Sequence, residues 1–389
     1  MKRSEGRILT THVGRLQRPD ALSARLGADY RRPDDAEFLA MLRDGVRKVV
    51  AQQAGTGLDI VCDGEFGRPS WNNYLHTRLA GHEIVPDANI KAGQSRDRAA
   101  FAEYYEEIER RGLRYYAAPG GDLPPGQRWA CTGPVSYVGQ GKLQQDLDNL
   151  RAAVGAAGVE EAFMTSTSPI RPGHNEFYAS EEEYYVAVGE AMRAEYQAII
   201  AAGFLVQIDD PHLPDMWDNV LGSMRGEGTD VASYLRTAER HVEVINHALR
   251  GLPADRIRYH MCWGSWHGPH STDIELKDLV DVLNKVAAGC FVIEAANARH
   301  EHEWMVWRDV KLPDDKILAA GVVSHATNTL EHPDLVAWRL RNFASVVGRE
   351  RVVASTDCGL GYRVHPQIAW AKLASVVEGA RRASATLWD

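Results

Sequence analysis

The chain has 389 residues, 44% of them apolar and 25% charged, with a formal net charge of -9. An acidic balance argues against nucleic acid as a partner, and no run approaches the ~18 apolar residues of a transmembrane helix. Five scattered cysteines do not form a disulfide framework. The opening "MKRSEGRILTTHVGR" lacks the apolar core of a signal peptide, so a cytoplasmic protein with reduced thiols and no membrane partner is expected.

In chain order, short apolar runs alternate with longer amphipathic ones. The short runs are "ILTTHVG" (8–14), "LDIVCDGE" (58–65), "EEAFMTST" (160–167), "FLVQIDD" (204–210), "IRYHMCWG" (257–264), "CFVIEAA" (290–296), "KILAAGVVSH" (316–325) and "RVVASTDCG" (351–359). They are rich in β-branched or aromatic residues and bounded by turn formers, as strands are. Between them, stretches such as "AEFLAMLRDGVRKVVAQQAG", "EEEYYVAVGEAMRAEYQAIIAAG" and "PDLVAWRLRNFASVVG" space apolar residues by three and four and end in glycine, as helices do. Eight strands alternating with helices predict an α/β chain folded as a closed (β/α)8 TIM barrel. The segment from about 82 to 140, containing "HEIVPDANIK", a charged helix and "RWACTGPVSYVG", breaks the alternation. It is expected to be an excursion after the second strand with an accessory hairpin, inside a single domain spanning 1–389.

Chemistry in such barrels gathers at the C-terminal ends of the strands. Those ends carry His12-Val13-Gly14-Arg15, Asp63-Gly64-Glu65, Asp209-Asp210, His260 with Cys262, Glu294, Ser324-His325 and Asp357-Cys358. Residues two apart on a strand share a face, so the imidazole of His260 and the thiol of Cys262 project together. With Glu294 and Cys358 they offer nitrogen, sulfur and oxygen ligands from three strands of one rim, which suits zinc and not magnesium or calcium. Cys62, Cys131 and Cys290 read as small buried hydrophobes.

The stretches "THVGRLQRPDAL", "DGEFGRP", "VQIDDPHLPD", "HMCWG", "FVIEAAN", "GVVSHATNTLEHPDLVAWRL" and "STDCGLG" resemble the cobalamin-independent methionine synthase family, in its catalytic C-terminal half. The resemblance spans nearly the whole chain and is weakest over 82–160. It implies a (β/α)8 barrel with Zn2+ held by His260, Cys262, Glu294 and Cys358. The family's second, N-terminal barrel has no room in a chain of this length. The chain is thus similar to shorter single-barrel members, among them the epoxyalkane:coenzyme M transferases.

Two thiolates and a carboxylate overbalance the charge of Zn2+, so such a site suits an incoming thiol held as thiolate better than it suits water. The resemblance implies that the substrate thiol displaces Glu294 and receives an alkyl group. It also implies His325 as proton donor, with His12 and His267 as other histidines for that role, because imidazole titrates near working pH. It implies a substrate-binding turn at His12, Val13, Gly14 and Arg15, and carboxylates Glu65 and Asp209 that grip an amino group. Asp215 falls where the family has a folate-contacting glutamate.

Two departures stand out. The family turn Ile-Gly-Ser reads Val13-Gly14-Arg15 here, so a hydroxyl has become a guanidinium. Arg15 either reads a carboxylate or sulfonate or points outward as a surface charge. The folate-stacking tryptophan has no counterpart in "TSTSPIRPGHNEFY". The expected function is zinc-dependent transfer of a methyl or other alkyl group to a small acidic thiol such as homocysteine. Alternatives are thiol addition to an epoxide, or a non-catalytic zinc-stabilised barrel that binds an acidic metabolite. The partners are thus a small thiol and an alkyl donor, and a homo-oligomer is compatible with the sequence.

Overall fold

The computed structural model describes residues 1–26, 32–71, 73–86, 95–111, 127–218 and 230–389. Its strands are β1 (Leu9–Thr10), β2 (Ile60–Val61), β3 (Leu79–Pro86), β4 (Gln127–Tyr137), β5 (Glu161–Thr167), β6 (His174–Asn175), β7 (Leu205–Asp209), β8 (Ile257–Met261), β9 (Cys290–Ile293), β10 (Ile317–Val323) and β11 (Val352–Thr356). Eight of them form one sheet in the order β1-β11-β10-β9-β8-β7-β5-β2, with every pairing parallel. The two outer strands meet: the Asp59 N–H donates to the Thr10 carbonyl at 3.1 Å, and the Thr11 hydroxyl donates to the Ile60 carbonyl at 3.1 Å. This is the (β/α)8 barrel expected from the strand count.

Side-chain parity builds two cores from the same strands. Leu9, Ile60, Phe163, Leu205, Val292, Ile317 and Val353 fill the barrel interior. Their neighbours Val61, Ala162, Val206, Tyr259, Phe291, Leu318 and Ala354 face the helices. The helices begin and end where local chemistry directs. Asp35 caps Ala36–Thr56 by accepting from the Phe38 N–H, and Ser180 caps Glu181–Ala201 in the same way. Proline opens Pro333–Val347 and Pro366–Leu387, where its missing N–H costs nothing.

The excursion after β2 contains the expected hairpin. β3 and β4 pair antiparallel, and β6 adds a third strand parallel to β4. Two short helices, Arg96–Ala100 and Ala102–Arg110, lie between the hairpin arms in sequence. Parts of the stretch 82–140, at 87–94 and 112–126, lie outside the described residues. No helix among the described residues is long and apolar enough to cross a membrane.

Candidate functional site

Strand β8 aims Arg258 and His260 into the barrel, and Cys262 continues that parity just past its end. His260 is sealed from solvent, and its Nδ1 donates to the Val292 carbonyl at 3.1 Å. A carbonyl only accepts, so this bond fixes the tautomer and leaves Nε2 as an acceptor. That Nε2 is buried and has no hydrogen-bond partner. The ligand atoms of His260, Cys262 and Cys358 all lie within 4.8 Å of one another. The contact with Cys262 holds the Cys358 thiol well below its ordinary range against the opposing effect of burial. The same contact, with burial, pushes Cys262 up.

Glu294 belongs to a second, neighbouring group. Its carboxylate oxygen lies within 4.8 Å of a ring nitrogen of His325 and a carboxylate oxygen of Asp357. The two carboxylate oxygens of Glu294 accept from the Trp263 N–H at 3.1 Å and from the Asn297 amide at 2.7 Å. Asp357 accepts from the N–H groups of Ala295 and Ala296, each at 2.8 Å. This reach depends on Gly321, where a Cβ would sit 2.1 Å from Asp357 Oδ1. His325 is buried, its Nδ1 has no partner, and burial pushes its pKa down to about 4. Its imidazole is therefore neutral near pH 7.

The β1, β2 and β7 ends assemble a charged wall. Arg15 is not a surface residue: its side chain is 12% exposed, lies 3.9 Å from Glu65 Oε2, and donates to the Pro69 carbonyl at 3.0 Å. Glu65 has a left-handed backbone, φ 61°, a sparsely populated region for a residue with a Cβ. Its Oε2 is buried without a hydrogen bond. Asp209 accepts from the Gln207 amide at 2.9 Å. Burial, reinforced by Glu65 and Cys358 and opposed by His260, pushes Asp209 up to about 7. Gly14 closes the corner at φ 145°, where a Cβ would lie 2.7 Å from Thr165 Cγ2 and 3.1 Å from Glu65 Oε1. The Val13 carbonyl accepts from Gln207 and its N–H donates to the Thr356 hydroxyl.

Other expected residues sit elsewhere. His12 turns away from the three ligand atoms, with Nε2 on Gln53 Oε1 at 2.7 Å, and burial lowers its pKa to about 4. Its ring also lies 3.7 Å from Cys62 Sγ and packs edge-on against Phe163. Asp215 lies in the short helix His212–Asp215, 3.8 Å from His212 Nδ1. His267 lines a cavity of about 330 Å3 together with Glu294 and His325. Two residues that line this cavity, Tyr104 and Trp266, were missed in sequence. Nothing in their local pattern distinguishes them from ordinary aromatic residues.

Fold and site together define a parallel-stranded barrel with a soft-ligand cluster at the C-terminal ends of its strands. A family model for the cobalamin-independent synthase catalytic domain matches residues 164–382, and the chain belongs to that family. It is 25% identical to a 2-hydroxypropyl-CoM lyase of Xanthobacter autotrophicus over 410 residues, covering 98% of this chain and 96% of that protein. It is 23% identical to a methionine synthase of Thermococcus kodakarensis over 356 residues, covering 90% and 84%. Among solved structures, a B12-independent methionine synthase from a Shewanella species superposes with a TM-score of 0.71 at 18% identity, covering 98% and 99% of the two chains. At that identity the superposition speaks for the fold.

Proposed function

We propose that the protein is a zinc-dependent transferase that moves a methyl or other alkyl group onto the sulfur of a small thiol bearing an acidic group. The observation that carries this reading is the convergence of His260, Cys262 and Cys358 on one point, with a buried imidazole nitrogen that has no partner. One nitrogen and two sulfurs fit zinc, with Glu294 as the fourth ligand. Of the four, Glu294 would be the most readily exchanged, because Trp263 and Asn297 already satisfy its oxygens. Zinc, when bound, would keep a substrate thiol deprotonated and nucleophilic.

The chain's own groups do the rest. Glu65 and Asp209 are two buried carboxylates whose mutual repulsion a substrate ammonium relieves. Arg15 faces the acidic group of the same substrate. His325, neutral at rest, takes the thiol proton and returns it to the leaving group as the sulfur–carbon bond forms and the carbon–leaving-group bond breaks. A second reading, addition of a sulfonate-bearing thiol to an epoxide, is favoured by the buried guanidinium of Arg15 and by the full-length similarity to the lyase.

The test is calorimetric titration of homocysteine and of 2-mercaptoethanesulfonate into zinc-loaded and chelator-treated protein. Binding of at least one thiol that disappears with the zinc is expected. Binding indifferent to zinc, or no binding of either thiol, overturns the reading.

A further inference from the structure

Tyr104, on the helix Ala102–Arg110, donates its hydroxyl to the His267 carbonyl at 2.8 Å. It thereby forms a wall of the cavity of about 330 Å3, which Glu294 and His325 line together with Trp266, His267 and His270. We propose that this cavity admits the alkyl donor, and that it is built for a compact electrophile. The proposal rests on the transferase reading above.

Three observations carry it. First, the cavity touches the reacting groups but none of the charged wall: Glu294 and His325 line it, whereas Arg15, Glu65 and Asp209 do not. The two substrates therefore reach the centre from different sides, as displacement at carbon requires. The thiolate sulfur forms its bond to the donor carbon from one side. The leaving group departs with the bonding pair toward the cavity, and His325 supplies its proton.

Second, the walls are fixed. The Asp97 carboxylate is buried and accepts from the Ser271 N–H at 2.8 Å and from the Tyr105 hydroxyl at 2.5 Å. Asp218 accepts from the Arg96 N–H at 3.0 Å and from the Thr272 hydroxyl. These bonds lock the insertion helix to the segment that carries Trp266. The Trp266 ring stacks on His270 at 3.9 Å, and Asp273 bridges His270 and His300 at 2.9 and 3.1 Å. Such walls do not widen cheaply. Third, about 330 Å3 is the small end of the range for ligand pockets.

The test uses zinc-loaded protein and Tyr104→Trp and Tyr104→Ala variants, with 1,2-epoxypropane as the compact probe and a methyltetrahydropteroylglutamate as the extended one. Tyr104 is 42% exposed, so both substitutions leave the core intact, and thermal unfolding checks this. Saturation-transfer NMR without thiol should show the compact probe bound to wild type and weakened in Tyr104→Trp. In turnover, Tyr104→Trp should raise the donor KM by about tenfold and leave the thiol KM within about twofold. Tyr104→Ala should improve the extended probe relative to the compact one. A shift in thiol KM with donor KM unchanged overturns the assignment. So does failure of the compact probe to bind wild type, or wild-type preference for the extended probe. Calorimetric thiol binding separates the two levels. If the thiol binds and the probe does not, only the donor assignment falls; if the thiol does not bind, the transferase reading falls with it.

Discussion

Arg15 Nη1 lies 3.9 Å from Glu65 Oε2, and both side chains are largely withdrawn from water. The pair juxtaposes a cation and an anion at one corner of the barrel mouth, the complement of a substrate that carries both charges. Arg15 stays charged even though burial lowers its pKa to about 10, with Glu65 opposing that shift.

Replacing Arg15 by serine should therefore weaken an acidic thiol by roughly tenfold to a hundredfold, the consequence of losing a charged hydrogen bond of about 1.5–3 kcal/mol. Zinc content should not change. Kinetics across thiols bearing carboxylate, sulfonate or no acid check this; equal small changes for all three would show that Arg15 reads nothing.

Cys262→Ser and Cys358→Ser should each lose most of the metal, because a hydroxyl is a poor substitute for thiolate at a zinc site. Elemental analysis of the purified proteins measures this against an expectation of one zinc per wild-type chain. Full retention in both variants would refute the ligand set.

Glu294 should exchange during turnover. X-ray absorption at the zinc edge should show one sulfur gained and one oxygen lost when the thiol is added. A first shell that stays constant under a saturating thiol contradicts the exchange.

A buried ion cluster bolts the insertion to the barrel helices. Arg78 Nη1 lies 2.9 Å from Glu195 Oε2, and its Nη2 lies 2.6 Å from Asp146 Oδ2. Tyr137 at 2.7 Å and Tyr74 at 3.0 Å donate to the same Glu195 carboxylate. Arg78→Met leaves buried Glu195 without its paired cation, while Asp146 keeps Arg32 on its other oxygen, and should cost about 3–5 kcal/mol in urea unfolding. The pH dependence has a definite sign. Burial alone would raise Glu195, but Arg78 and Arg68 outweigh it and hold its pKa below the ordinary value. That contribution to stability is present above the usual glutamate range of about 4.3 and is lost as pH falls through the depressed folded value. In Arg78→Met burial prevails and the carboxyl rises, so acidification relieves the variant. The stability gap between the two proteins should narrow below about pH 4; a constant gap would mean that Glu195 does not sense Arg78.

The eight barrel strands were legible because each combines a short apolar run with turn formers at both ends, as "FLVQIDD" does around β7. The long helix Pro366–Leu387 was harder to single out, since alanine and serine dilute its apolar stripe. His260, Cys262 and Cys358 could be read from strand parity and chemistry alone. The placement of Glu294 beside Asp357 could not, because it depends on the space left by Gly321 on another strand. Tyr104 was illegible for a related reason: its partner His267 is 163 residues away in sequence. His12 shows the converse, since a histidine at a strand end looks alike whether it faces the barrel mouth or, as here, Gln53.

Strand β8 is held on both sides, with His260 opposite Asp209 on β7 and Val292 on β9. A one-residue slip would turn Tyr259 and Met261 inward and send the imidazole and thiol among the helices. The orientation of His260 and Cys262 is thus tied to the packing of the core, and neither can turn without the other. The segment after Cys262 and the insertion that rests on it are tied to each other by side-chain hydrogen bonds and not by strand register. The cavity wall can therefore be remodelled one side chain at a time, as at Tyr104, whereas His260 and Cys262 can turn only with the whole strand.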